Sequence, residues 1–261
     1  MTSRRRYPVA LLAAAAMVAA AAGSAPAQEQ QEQGKPGNST LIVGIDVSGS
    51  FKSQYDDAIE FASYYIYAHL RSLGGLRPPT ALFVTSIGGD RPGEPKAFHP
   101  IGDFATSSRE QIASDLRTWF PPRDAFTDFN TFFKQVAVLA KERGLILAPM
   151  SVVVLSDGTP DMPGNMQPAR SDNAIARIDF SSLEFVSRSV TVRLLYASPS
   201  IGDAWKRMIR RKRVRLWTQD APVMIGWHRQ LRPDQPLDRQ ANLWKWVQDN
   251  VDFRVRAGNV F

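Results

Sequence analysis

Four short apolar runs constrain this chain most: Leu41-Ile42-Val43-Gly44-Ile45, Ala81-Leu82-Phe83-Val84, Val152-Val153-Val154-Leu155 and Val190 to Ala197. As a set they are short, rich in β-branched residues and mostly continuous, the last holding Thr191 and Arg193. Such runs fit strands buried on both faces, as in a parallel sheet. Between them the apolar period changes to three and four. Ile59, Ala62, Ile66, Leu70 and Leu73 form one stripe, stopped at Gly74-Gly75. Phe129, Phe132, Phe133, Val136, Leu139 and Ala140 form a second, over 129–143 and closed by Gly144. Trp205, Met208 and Ile209 mark a third. Strands alternating with helices predict βαβ crossovers: an α/β fold with a doubly wound, mostly parallel central sheet and helices on both faces. Two stretches break the rhythm. Residues 86–108 are rich in Gly and Pro, with room for an edge strand near 98–101. Residues 158–172 hold Pro160, Pro163, Gly164 and Pro168 among Met162 and Met166, which offer either an adaptable contact surface or loop packing.

The first forty residues read differently. Arg4-Arg5-Arg6 precedes an alanine-rich apolar run from Pro8 to Ala22, followed by Ala25-Pro26-Ala27. A basic start, a short apolar run and a small-x-small site describe a secretory signal peptide over 1–27, cleaved after Ala27. The run is shorter than the roughly 20 residues a membrane-spanning helix needs. Ser3 to Tyr7 also resembles a partial twin-arginine signal, so the export route stays open. Gln28 to Ser39 is polar, without apolar periodicity, and reads as a flexible linker. The expected organisation is therefore signal peptide 1–27, linker 28–39, domain 40–220 and a Trp-rich C-terminal extension 221–261, with a periplasmic or secreted location.

Charge narrows the partners. The chain has 32 Lys and Arg against 25 Asp and Glu, a formal +7, and no cysteine. Without cysteine there is no thiolate metal site and no thiol nucleophile. The excess is not spread over a broad surface. Part of it is the arginine trio, and most of the rest lies in 201–232, where nine basic residues face Asp203 and Asp220. Seven of them fall in Lys206–Arg215. On a helix over 203–213 most would form a solvated face. The sharper reading is a docking patch for an acidic partner or anionic lipid headgroups. An exported chain meets no nucleic acid, and after cleavage it is not an integral membrane protein.

The chemistry concentrates where apolar runs end. The first ends in Asp46-Val47-Ser48-Gly49-Ser50. Alternation in an extended segment lets Asp46, Ser48 and Ser50 converge. The third ends in Ser156-Asp157-Gly158, and Thr127 stands just before the second amphipathic stripe. Carboxyl ends of strands are where open α/β sheets bind ligands. Asp46, Ser48, Ser50, Thr127 and Asp157 offer only oxygen, which suits a hard cation such as Mg²⁺. Thr118, Thr131 and Asp128 compete for the threonine position.

DVSGS, then TDF ahead of a helix, then VVVLSDG resembles the von Willebrand factor type A (vWA) domain and its metal-ion-dependent adhesion site (MIDAS), over roughly residues 40–200. The resemblance implies a Rossmann-like vWA fold of the exported bacterial type. It also implies Mg²⁺, or Mn²⁺ or Ca²⁺, approached through the hydroxyls of Ser48, Ser50 and Thr127. Asp46 and Asp157 would act through waters and by holding those hydroxyls. A cation with neutral direct ligands stays electropositive and takes an Asp or Glu from a protein partner in an open position. The expected function is a non-enzymatic interaction module. The alternatives are a metal-dependent phosphatase- or esterase-like hydrolase and a metal-free scaffold docking through 203–213. The hydrolase lacks a histidine base among the motif loops, a P-loop string and a D-x-D nucleophile.

Other residues have plainer expectations. His69, His99 and His228 form no ligand pair and read as structural or surface groups. Asp128 reads as a helix N-cap, and Asp161 as solvated. Trp217, Trp227, Trp244 and Trp246 crowd the last 45 residues. With Leu243, Val247 and Val251 they suggest a terminal helix covering one face of the sheet, or else a partner-facing aromatic patch.

Overall fold

The structure is a computed structural model that describes residues 37–91, 93–123, 126–161, 171–187 and 189–253. The signal peptide, most of the linker, Met162 and Met166 lie outside the described residues. Among those described, no helix is long and apolar enough to cross a membrane.

Six strands form one sheet in the order β3-β2-β1-β4-β5-β6. They are β1 (Gly37–Asp46), β2 (Pro79–Ile87), β3 (His99–Pro100), β4 (Met150–Leu155), β5 (Val190–Ala197) and β6 (Arg215–Asp220). All neighbours pair in parallel except β3, which runs antiparallel to β2. The expected α/β sheet is therefore present, with its edge strand at 99–100.

Alternation along each strand divides the core. Leu41, Val43, Ile45, Leu82, Val84, Val153, Leu155 and Leu195 face one layer. It contains α1 (Lys52–Arg71), α2 (Arg109–Trp119) and the C-terminal helices α7 (Ala221–Ile225) and α8 (Ala241–Val247). Ile42, Phe83, Val152, Val154, Val192, Leu194 and Leu216 face the other. That layer holds α3 (Phe129–Glu142), α4 (Ser171–Ile175), α5 (Ser181–Glu184) and α6 (Pro199–Met208). Strands buried on both faces explain the mostly continuous apolar runs.

Two expectations change. The third helix does not run over 203–213: α6 ends at Met208, and Ile209 is extended at φ −75°, ψ 117°. Ile209 and Val214 are both buried in the second layer, so the chain must leave the helix to seat them and enter β6. The side chain of Arg211 closes the end, its Nη1 donating to the carbonyls of Lys206 (2.9 Å) and Ile209 (3.1 Å). Helix α2 was not expected at all; Ser108 caps it, its hydroxyl accepting from Gln111 N–H at 3.1 Å.

The aromatic tail covers the first layer. Trp227 packs on Phe61 and Tyr64 of α1, Trp246 meets Phe61 edge-on, and Trp244 is buried in the same cluster. Trp217 packs edge-on against Phe253 at 4.7 Å.

Candidate metal site at the sheet switch point

Strand β1 connects through α1 to β2 on one side, while β4, β5 and β6 build outward on the other. The winding therefore reverses beside β1, and the carboxyl ends of β1 and β4 open onto the crevice that this reversal creates. Asp46 is the last residue of β1 and is fully buried. One carboxylate oxygen accepts from Ser48 N–H at 2.9 Å. The other accepts from the Ser156 hydroxyl at 2.5 Å, just past the end of β4. Ser156 in turn accepts from Gly158 N–H at 2.9 Å, so one hydroxyl ties the two strand ends together. Burial raises the Asp46 carboxyl from an ordinary 3.8 to about 6, partly opposed by the Ser156 and Ser48 hydrogen bonds; the Asp157 charge adds to the rise.

Ser48 is buried and Ser50 exposed, and their hydroxyl oxygens stand 3.2 Å apart. Asp157 is half-buried and accepts from Thr159 N–H at 2.8 Å. The turn after it depends on Gly158, at φ +80°. A Cβ there would fall 2.8 Å from Leu194 and 2.9 Å from Ile201. Gly158 also presents its carbonyl to the indole N–H of buried Trp205 at 2.8 Å.

Thr127 is fully buried. Among the described residues its hydroxyl has no hydrogen-bond partner. Three tethers fix its loop. Gly89 and Phe126 exchange backbone hydrogen bonds at 3.0 Å each way. That approach requires Gly88 at φ +81°, where a Cβ would lie 2.0 Å from the Phe126 carbonyl oxygen. Arg123 N–H donates to the Val47 carbonyl at 2.8 Å. Asp161 clasps Thr127 from the third loop: its carboxylate accepts from Thr127 N–H at 2.9 Å, and its own N–H donates to the Thr127 carbonyl at 3.1 Å. Asp161 is exposed, as expected of a solvated residue, yet it also has this positioning role.

Asp46, Ser48 and Ser50 thus form one hydrogen-bonded group with Ser156, next to Asp157. Thr127 makes no hydrogen bond to that group and reaches it through the Asp161 and Arg123 tethers. The competitors are engaged elsewhere. The Thr131 hydroxyl donates to Asp128 at 2.7 Å, and that of Thr118 to the Ser114 carbonyl at 2.9 Å. Asp128 is the N-cap of α3, accepting from Thr131 N–H at 2.9 Å. Among the described residues no three of His, Cys, Asp and Glu group as a metal site. The candidate set has two carboxylates and three hydroxyls. Ser156 was not anticipated, although it sits inside the same VVVLSDG string.

Two clefts flank the site. One, of ≈ 440 Å³, includes Thr127, Asp128, Lys134 and Asp161; the other, of ≈ 320 Å³, includes Gln54, Asp157, Thr159 and Tyr196. A larger cavity of ≈ 500 Å³ opens at the amino ends of the strands, around Arg193 and Arg215, and shares no residue with the candidate set. The histidines have other partners. His69 Nδ1 donates to the Arg77 carbonyl at 2.9 Å, His99 stacks on Trp119 at 3.8 Å, and His228 lies 2.6 Å from Asp57.

No family model matches the chain, and no curated protein matches it. Solved structures give partial, low-identity likenesses. The pilus adhesin SpaC from Lactobacillus rhamnosus GG, in its open conformation, is 13% identical with a TM-score of 0.47, over 82% of this chain and 31% of that one. Proximal thread matrix protein 1 from the mussel byssus, with a zinc occupied MIDAS motif, is 14% identical with a TM-score of 0.43, over 82% of this chain and 48% of that one. The SpRpn10 VWA domain is 11% identical with a TM-score of 0.43, over 75% of this chain and 95% of that one. The chain spans less than half the length of the adhesin and of the byssus protein.

Proposed function

We propose that this chain is an interaction module that binds a divalent cation at Asp46, Ser48, Ser50, Thr127 and Asp157 and uses it to engage an acidic group on a protein partner. The observation that carries this reading is the hydrogen-bonded oxygen group at the carboxyl end of β1, with the Thr127 hydroxyl buried and, among the described residues, without a partner on a neighbouring tethered loop. An unpaired buried hydroxyl costs about 1–3 kcal/mol, a cost a cation would remove. Mg²⁺ favours six oxygen ligands and keeps some of its water. The three hydroxyls are neutral donors, so an ion held mainly by them keeps most of its charge for an incoming carboxylate. Asp46, fixed by Ser156 and Ser48 N–H, orients the Ser48 loop and supplies the negative charge behind it. Mn²⁺ or Ca²⁺ would meet the same donors.

Two further elements belong to this reading. The basic start, alanine-rich run and Ala25-Pro26-Ala27 support export to the periplasm or the exterior. The role is binding without turnover; each histidine is engaged as described above, and none contacts the oxygen group.

Calorimetric titration of the chain with Mn²⁺ and Mg²⁺ tests the site. Thr127→Val keeps the shape and removes the hydroxyl, so it is expected to weaken binding at least tenfold while the fold survives. Equal affinity in wild type, Thr127→Val and Ser48→Ala would refute the site. A separate pull-down with and without EDTA tests the partner's dependence on the cation.

A further inference from the structure

The basic run singled out in the sequence lies beside an unusual apolar surface. Leu147 is 71% exposed and Phe185 80% exposed, with Ile146 close by at 46%. The two loops are joined, because Leu147 N–H donates to the Val186 carbonyl at 3.0 Å. The basic loop after α6 touches the same corner: Lys212 N–H donates to Glu184 Oε1 at 2.5 Å, one residue before Phe185. Arg210, Lys212 and Arg213 are exposed there, with Lys141 and Arg143 exposed at the end of α3, which packs on α5. The acids at this corner are Glu142, which is exposed, and Glu184, which is half-buried and occupied by Lys212 N–H.

Leu147 carries a second signal. Its φ is +76°, in the left-handed region. That backbone strains a β-carbon-bearing residue and favours Gly or Asn. Here the strain holds a large apolar side chain out into solvent, where it gains nothing for the fold.

We propose that this corner docks on an anionic lipid surface. Leu147 and Phe185 stand out from loop turns and line none of the cavities described above, so they fit insertion into a soft interface better than capture by a groove. Apolar side chains seated at the headgroup boundary, with basic residues beside them, are the two elements of peripheral membrane binding. Each Lys or Arg near an anionic surface strengthens the attraction, which falls off with salt. The surface does not include the candidate metal site.

Co-sedimentation of the chain with vesicles tests this. Phosphatidylglycerol mixed into phosphatidylcholine is compared with phosphatidylcholine alone, in EDTA so that no bridged cation contributes. Wild type and variants share the same N-terminal apolar run, so their difference is the readout. Wild type is expected to bind the anionic vesicles and to be released by salt. Phe185→Ser and the pair Lys212→Glu with Arg213→Glu are expected to weaken binding about tenfold or more. Leu147→Asn is expected to weaken binding and to raise the melting temperature, because it relieves the backbone. No binding to anionic vesicles, equal binding to neutral ones, or binding unchanged in all variants would overturn the proposal. So would self-association without vesicles that Leu147→Asn abolishes, which would make the corner a contact between copies.

Discussion

Burial holds the Asp46 carboxyl at about 6, so the fold binds its proton more tightly than the unfolded chain does. The contribution of this group to stability is therefore complete below its ordinary value of 3.8 and lost as pH rises through about 6. A shift of about two units corresponds to roughly 3 kcal/mol at most. In EDTA, Asp46→Asn is expected to gain stability relative to wild type as pH rises from about 4 to about 8, read by urea unfolding at each pH. A gap that stayed constant with pH would contradict the shift. With Mn²⁺ present, affinity is expected to fall as pH drops through about 6, as the proton and the cation compete for one carboxylate. Asp46, Ser48 and Ser50 were legible in the sequence because they lie within five residues; the strand itself ends at Asp46, and a bend and turn at 48–51, not continued alternation, bring the hydroxyls together. Ser156 was not, since its hydrogen bond to Asp46 joins positions 110 residues apart. The role of Asp161 was hidden for the same reason: an exposed acid in a loop shows nothing of the backbone it holds.

At the scale of elements, the interior strands were the clearest part of the sequence. Burial on both faces writes itself as an unbroken apolar run in β1, β2 and β4, and as an apolar run holding buried Thr191 and Arg193 in β5. Helix α2 was invisible because only Ile112, Ala113 and Leu116 of it are buried, too short a stripe to register among its polar residues. Helix α6 was drawn too long because Ile209 continues the period set by Trp205, although its burial belongs to the turn into β6. Closeness between backbones also left little trace. Gly88 looks like one more glycine in a Gly- and Pro-rich stretch, yet it alone lets the Phe126 loop lie against the end of β2. Gly88→Ala is expected to cost at least about 2 kcal/mol, from the clash and the positive φ together. It should also weaken Mn²⁺ binding, since it displaces the loop that carries Thr127. Urea unfolding and calorimetry read the two effects separately, and an unaltered midpoint would show that the loop yields freely.

Across the whole molecule, the two layers differ in what completes them. The α3–α6 side is built from crossover helices, whereas the α1 side needs the C-terminal residues as its cover. Trp244 shows how closely that cover fits: a Cβ on Gly74 would come within 2.0 Å of it, and its indole N–H donates to the Leu237 carbonyl at 2.7 Å. Trp244→Ala is expected to destabilise the fold by about 3–5 kcal/mol, measured by chemical denaturation. A loss below about 1 kcal/mol would mean that the tail decorates the core without completing it.

The margins of the sheet have a consequence for solubility. An open strand edge invites ribbon growth from chain to chain. On the β2 side that invitation is withdrawn by β3, which is only two residues long and ends in a proline that has no N–H to offer. A second molecule finds almost no ladder to extend there. Among the described residues this blunted border leaves backbone templating to the opposite margin, where the six residues of β6 pair only with β5.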